Sequence, residues 1–286
     1  MLDGVMLLWF ILTTLSLLFV VVDIRTTPAS PVLKWGFILL TAYTGPLGAF
    51  LYVLGCREPL PGLHERYVAT RWRQVLGSTM HCVAGDGVGI LAGAVIARLF
   101  HLPTVTDIAL EYALGFGFGW SIFQSLFMRD MAGGSYMRAL SSTFFPELLS
   151  MNCLMAGMVP VMTLAMKGAP ASHDPSKPAF WFIMCMALLV GFITAYPMNW
   201  WLVSRHMKHG MMTVRSPNAS ANGGAQQDLH DDHTPGERAG SVEGRGKLPM
   251  DGAVKGVSNS VLAWMTLLSL LVFGLGLSIA MIAGGL

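Results

Sequence analysis

Residues 77–99 read GSTMHCVAGDGVGILAGAVIARL, and the reading of this stretch decides the fold. It is long enough to cross a bilayer, which takes roughly 20 apolar residues as a helix. Yet it holds His81, Cys82 and Asp86 in its first half. Ionisable side chains inside a hydrophobic span are costly, and they usually face a bundle interior or a water-filled cavity. At roughly 100° per residue, His81, Cys82, Gly85, Asp86, Gly89 and Gly93 fall on one arc of about 140°. The glycines at 85, 89 and 93 form overlapping GxxxG steps, which let a neighbouring helix come close. Polar groups and close-packing face coincide, so both are expected to point into a membrane helix bundle.

The rest of the chain fits that frame. Of its 286 residues 53% are hydrophobic and 12% charged, against about 25% charged in a typical soluble domain. The charges cluster between apolar runs at Val5–Val22, Trp35–Gly55, Gly77–Leu99, Ile108–Met128, Glu147–Met166, Ala179–Val203 and Val257–Ile282. The expected fold is therefore all-α: a polytopic bundle of about seven spanning helices whose central core is the third to sixth. Each span satisfies its own backbone hydrogen bonds. The organisation expected is two N-terminal helices over 1–56, the core over 57–212, a polar segment over 213–256 and a last helix over 257–286. The segment 213–256 is rich in Ser, Asn, Gly, Asp and His and lacks apolar periodicity, so it is expected to be disordered. The first run follows Asp3 and lacks a basic leader, which makes it a retained helix and not a signal peptide.

Lys and Arg concentrate in the second, fourth and sixth loops: Arg57, Arg66, Arg71 and Arg73, then Arg129 and Arg138, then Arg205 and Lys208. Those loops, the N-terminus and residues 206–256 are expected on the cytoplasmic side of the cell (inner) membrane. A net charge of +2 gives no support for a nucleic-acid partner. Cys56, Cys82, Cys153 and Cys185 form no CxxC pair and no disulfide framework. Hydrolase triads, P-loops and dinucleotide fingerprints are missing at credible spacing, so nothing argues directly for an enzyme.

Because successive spans run in opposite directions, polar residues far apart in the chain share one depth. His81 to Asp86 lie near the start of the third run, and Gln124 near the end of the fourth. Glu147, Met151 and Asn152 open the fifth, and Met198 and Asn199 close the sixth. Asp86, Gln124, Glu147, Asn152 and Asn199 are thus expected as a polar core with a role in charge or proton handling. Gln124, Asn152 and Asn199 also have a plain account as interhelical hydrogen bonds of about 1 kcal/mol each. Glu147 has one too, as a carboxylate in a first helical turn after Pro146.

The fifth run adds Met151, Met155, Met158, Met162 and Met166, which share with Glu147 one arc of about 100°. Thiol and thioether ligands select copper(I) and similar soft ions. His81, Cys82, Met151, Met155 and Met158 are the expected metal ligands, and copper the expected ion. Methionine as flexible apolar packing is the alternative. Haem between His81 and Met151 is a further one.

Four segments together resemble a bacterial membrane family called domain of unknown function 4396. They are Met80-His81-Cys82-Val83-Ala84-Gly85-Asp86, Glu111-Tyr112 with Gly115-Phe116-Gly117-Phe118-Gly119-Trp120, Met151-Asn152, and Pro197-Met198-Asn199-Trp200-Trp201. The resemblance covers roughly residues 70–212, including Lys208-His209-Gly210-Met211, and leaves out the first two helices and the last. It implies a membrane protein with a loose association with copper, and no settled mechanism. The expected function is binding or translocation of a soft metal ion in lipid, with contact to a second copy or membrane partner through the glycine faces. The alternatives are a membrane redox enzyme using the same polar layer, and a metal-independent transporter of protons or a small solute.

Overall fold

The structure, a computed structural model, describes residues 2–60, 62–129, 134–210 and 257–284, and all regular structure among them is helical. The polar segment expected over 213–256 lies outside the described residues. The helices are α1 (Leu2–Asp23), α2 (Pro31–Thr44), α3 (Pro46–Gly55), α4 (His64–Val68), α5 (Arg71–Leu99) and α6 (Thr104–Phe118), which runs on through a π-helical turn (Gly119–Gln124) into α7 (Ser125–Arg129). Then come α8 (Tyr136–Lys167), a 3-10 turn (Pro170–His173), α9 (Pro178–Ser204) and α10 (Asn259–Gly284).

Among the described residues α1, α5, α8, α9 and α10 are continuous helices long and apolar enough to cross a membrane. The other two expected runs are helical but broken into shorter pieces, so continuous helices do not reach the count of seven. The run Trp35–Gly55 divides at Gly45-Pro46. Gly45 takes φ 57°, which favours glycine, and Pro46 starts the next helix. The run Ile108–Met128 widens at Gly119, where a π turn inserts an extra residue into the helical ladder. Side chains add bonds to the carbonyls of this turn: Ser125 Oγ donates to Trp120 O at 2.7 Å, and Tyr136 OH to Ser121 O at 2.8 Å.

One helix start differs from expectation. Pro146 does not open the fifth span; α8 starts ten residues earlier, at Tyr136, capped by Ser135, and runs straight through Pro146. Proline removes one backbone donor from a helix interior. Packing on both sides of Pro146 outweighs that loss, so Glu147 stands mid-helix and no longer near a positive helix end.

Helix α5 packs mainly on α6 and α9, and α8 on α9 and α10; α2 leans on α1 and α5. The glycine arc of α5 is used inside the chain. A Cβ at Gly85 would meet Phe123 Cβ at 2.7 Å, and one at Gly93 would meet Glu111 Cα at 2.9 Å. At Gly89 it would collide with the Leu114 carbonyl. These glycines let two backbones touch, which fills from within the face expected to meet a partner. On α1 and α10 large apolar side chains such as Leu7, Leu15, Leu271 and Ile282 are exposed, as lipid-facing helices require.

Candidate cation site

Where α5 meets the π turn and the middle of α8, Cys82, Asp86 and Glu147 converge. Their ligand atoms all lie within 4.8 Å of one another, and all three residues are buried. Cys82 and Asp86 are one helical turn apart on α5, so their side chains share a face. The Cys82 Sγ lies 3.5 Å from Asp86 Oδ2, 3.3 Å from Glu147 Oε1 and 3.1 Å from Ser150 Oγ. Its single proton therefore has three acceptors. Gly119 makes room for the carboxylates. A Cβ there would collide with Asp86 Oδ1 and come within 3.1 Å of Glu147 Oε1.

A fourth group enters from outside the helices. Lys208, four residues past the end of α9, sends its ammonium inward to Glu147 Oε2 at 2.9 Å and Cys82 Sγ at 3.3 Å. Both side chains of the Lys208–Glu147 pair are 0% exposed. The segment folds back because Gly210 lies against the α5 backbone, where a Cβ would meet Gln74 Cα at 2.5 Å. Asp86 and Glu147 are also within hydrogen-bonding reach of each other. Among the described residues Asp86 Oδ1 accepts no hydrogen bond.

The charges can be counted. Two carboxylates and one ammonium leave one uncompensated negative charge, which a low-dielectric interior does not tolerate. A shared carboxyl proton removes it. A divalent metal ion does so as well if the thiol also ionises: three negative charges then meet three positive ones.

The residues expected as a site are not all brought together. Cys82, Asp86 and Glu147 meet directly. Asn199 joins through Ser150, donating to its Oγ at 2.8 Å. His81 and Gln124 sit beside each other next to this cluster, but the His81 ring packs on Phe123 and Phe127, with centroids 5.6 and 4.6 Å away, and is outside the metal-ligand group. Met151 is buried one layer from Asp86, its methyl against Gly115, while Met155 and Met158 are buried in the hydrophobic core. Asn152 serves elsewhere: it accepts from Tyr112 OH at 2.6 Å and donates to Ser269 Oγ at 3.0 Å, tying α8 to α6 and α10.

Sequence reasoning missed Ser150 and Lys208. Ser150 follows Glu147 by three residues, a spacing that puts it on the same helix face. Lys208 counted only as loop charge; its membership in Lys208-His209-Gly210-Met211 was the available signal.

Residues 71–208 match the family model described as Domain of unknown function (DUF4396). No curated protein and no solved structure matches the chain. The matched stretch starts at the first residue of α5 and ends on Lys208, so it holds every group of the cluster.

Proposed function

We propose that this DUF4396-domain protein binds a transition-metal cation between Cys82, Asp86 and Glu147, and passes it through the membrane, with copper the first ion to test. The observation that carries this reading is the convergence of a thiol and two carboxylates, from two helices, all buried and with their ligand atoms within 4.8 Å of one another. One sulfur and two oxygen donors form a mixed set suited to a borderline ion. Lys208 supplies a tethered positive charge that holds Glu147 when no ion is present. By the Lys and Arg bias of the loops, the site lies toward the cytoplasmic face. An ion leaving the cluster along α8 would meet the thioethers of Met151, Met155 and Met158, all of them buried.

Metal binding releases protons from its ligands. A divalent ion that displaces both the thiol proton and the carboxyl proton releases about two protons per ion; copper(I) restores neutrality with the release of about one. The test is titration of the purified full-length protein in detergent with copper(I), copper(II) and zinc(II), recording stoichiometry and proton release together. Saturable binding that Cys82→Ser and Asp86→Asn each weaken supports the reading. Absence of saturable binding, or binding indifferent to both substitutions, overturns it.

The Lys208–Glu147 ion pair favours a second reading: proton-linked transport of a small solute without metal, since the cluster already carries a cation of its own. Flux into proteoliposomes separates the two. Flux abolished by Asp86→Asn, yet unchanged by Cys82→Ser and Met151→Leu, would favour the second.

A further inference from the structure

A second buried group of charges lies at the opposite end of the α5–α6 contact. Arg98, in the last turn of α5, is twelve residues from Asp86, or about 18 Å along the helix. Its Nη2 is 2.9 Å from Asp107 Oδ2 in the first turn of α6. The same nitrogen lies 3.6 Å from Met166 Sδ of α8, and Nη1 lies 3.3 Å from His173 Nδ1 in the 3-10 turn. These contacts alone describe a structural ion pair in which each partner suits its helix end.

Glu111 is what that account leaves over. It lies one turn deeper on α6 and is 0% exposed. Gly93 seals it in, with the two backbones touching at that point. Among the described residues neither Glu111 oxygen accepts a hydrogen bond from a donor group. Asp107 stands four residues before Glu111 on α6, so the two carboxyls share one helix face, within hydrogen-bonding reach of each other. Two carboxylates cannot hydrogen-bond unless one of them brings a proton. The charged and titratable groups around the pair are Arg98 from α5, Asp107 and Glu111 from α6 and His173 from the 3-10 turn; α8 contributes the neutral sulfur of Met166.

We propose that Asp107 and Glu111 form a proton-binding site, in which Glu111 carries one proton and donates it to an Asp107 carboxylate that stays ionised against Arg98. Charge balance requires one positive charge here. With the proton in place the group is neutral: one carboxylate, one guanidinium and one carboxylic acid. A metal ion does not fit. The pair offers no thiol, and hard cations need six or more oxygen ligands, whereas one of these two carboxylates is already engaged by Arg98. The protein then has a buried carboxyl pair with one cationic partner near each end of α5. Only the pair beside Cys82 is equipped for metal. The inference stands on its own geometry and is independent of what the Cys82 cluster binds.

The test is infrared spectroscopy of the full-length protein in lipid nanodiscs at neutral pH, following the carbonyl stretch of protonated carboxylic acids and its shift in heavy water. Glu111→Gln keeps an N–H donor toward Asp107 and is expected to remove one such band. Asp86→Asn should leave that band in place. Asp107→Asn gives a second and sharper criterion. With its negative neighbour gone, Glu111 ionises against Arg98, so the same band disappears although Glu111 is still present. A spectrum unchanged by Glu111→Gln overturns the proposal. So does a Glu111 band that survives in Asp107→Asn, since burial alone, without sharing, would then hold the proton.

Discussion

Replacing Lys208 by Met tests whether the polar segment after α9 is part of the membrane core. The Lys208 ammonium is 2.9 Å from Glu147 Oε2, and neither side chain is exposed. An ion pair on a surface contributes about 0–1 kcal/mol, but removing one partner of a buried pair leaves an uncompensated charge and costs about 3–5 kcal/mol. Burial decides between these figures, so the larger applies. Proton uptake by Glu147 relieves part of the cost, which places the expected loss near 3 kcal/mol at neutral pH. Methionine keeps most of the lysine stem, so little of the loss comes from packing. The double variant Lys208→Met with Glu147→Gln removes both charges and should regain about 2 kcal/mol of that loss, within the usual range of coupling between contacting residues. The assay is equilibrium unfolding of the full-length protein in mixed micelles of a mild detergent and dodecyl sulfate. A single variant within about 1 kcal/mol of the parent, or a double variant no more stable than the single, would refute the buried-pair account.

Gly119→Ala places a methyl against the Asp86 and Glu147 carboxylates. It should lower metal affinity roughly tenfold or more, equal to about 1.4 kcal/mol, as measured by the titration used for the parent protein. His209 lies outside the spans, and its pKa is lowered first by burial and second by His206. The unfolded chain then binds a proton that the folded state does not, so stability is present above about pH 6.5 and is lost as pH falls below it. His209→Gln should flatten that acid limb in unfolding curves taken from pH 5 to pH 8. Asn152→Ala cuts the links to Tyr112 and Ser269 and should cost about 1 kcal/mol, with metal stoichiometry unchanged in the same titration.

The fold class was legible because the bilayer imposes it. Long apolar runs with clustered charge leave a chain few options other than helices that satisfy their own backbones. The inward face of α5 was legible too, since a 3.6-residue repeat puts His81, Cys82, Asp86 and the glycines on one arc. Antiparallel order even set Asp86, Glu147 and Asn199 at a common depth before any contact was known. Where the helices break was less legible. Gly45-Pro46 is a local signal that an apolar average hides, whereas Pro146 is a local signal that tertiary packing overrode.

What the sequence by itself determined is the all-helical membrane class and which residues share a helix face, because hydrophobic length and helical periodicity are properties of single segments. Only the tertiary structure decided which of those residues touch. It brought Cys82, Asp86 and Glu147 into one space and gave Asn152 to a different seam. It also carried Lys208 from a polar connection into the core, since rotation about a helix axis and the return path of a loop depend on neighbours distant in the chain.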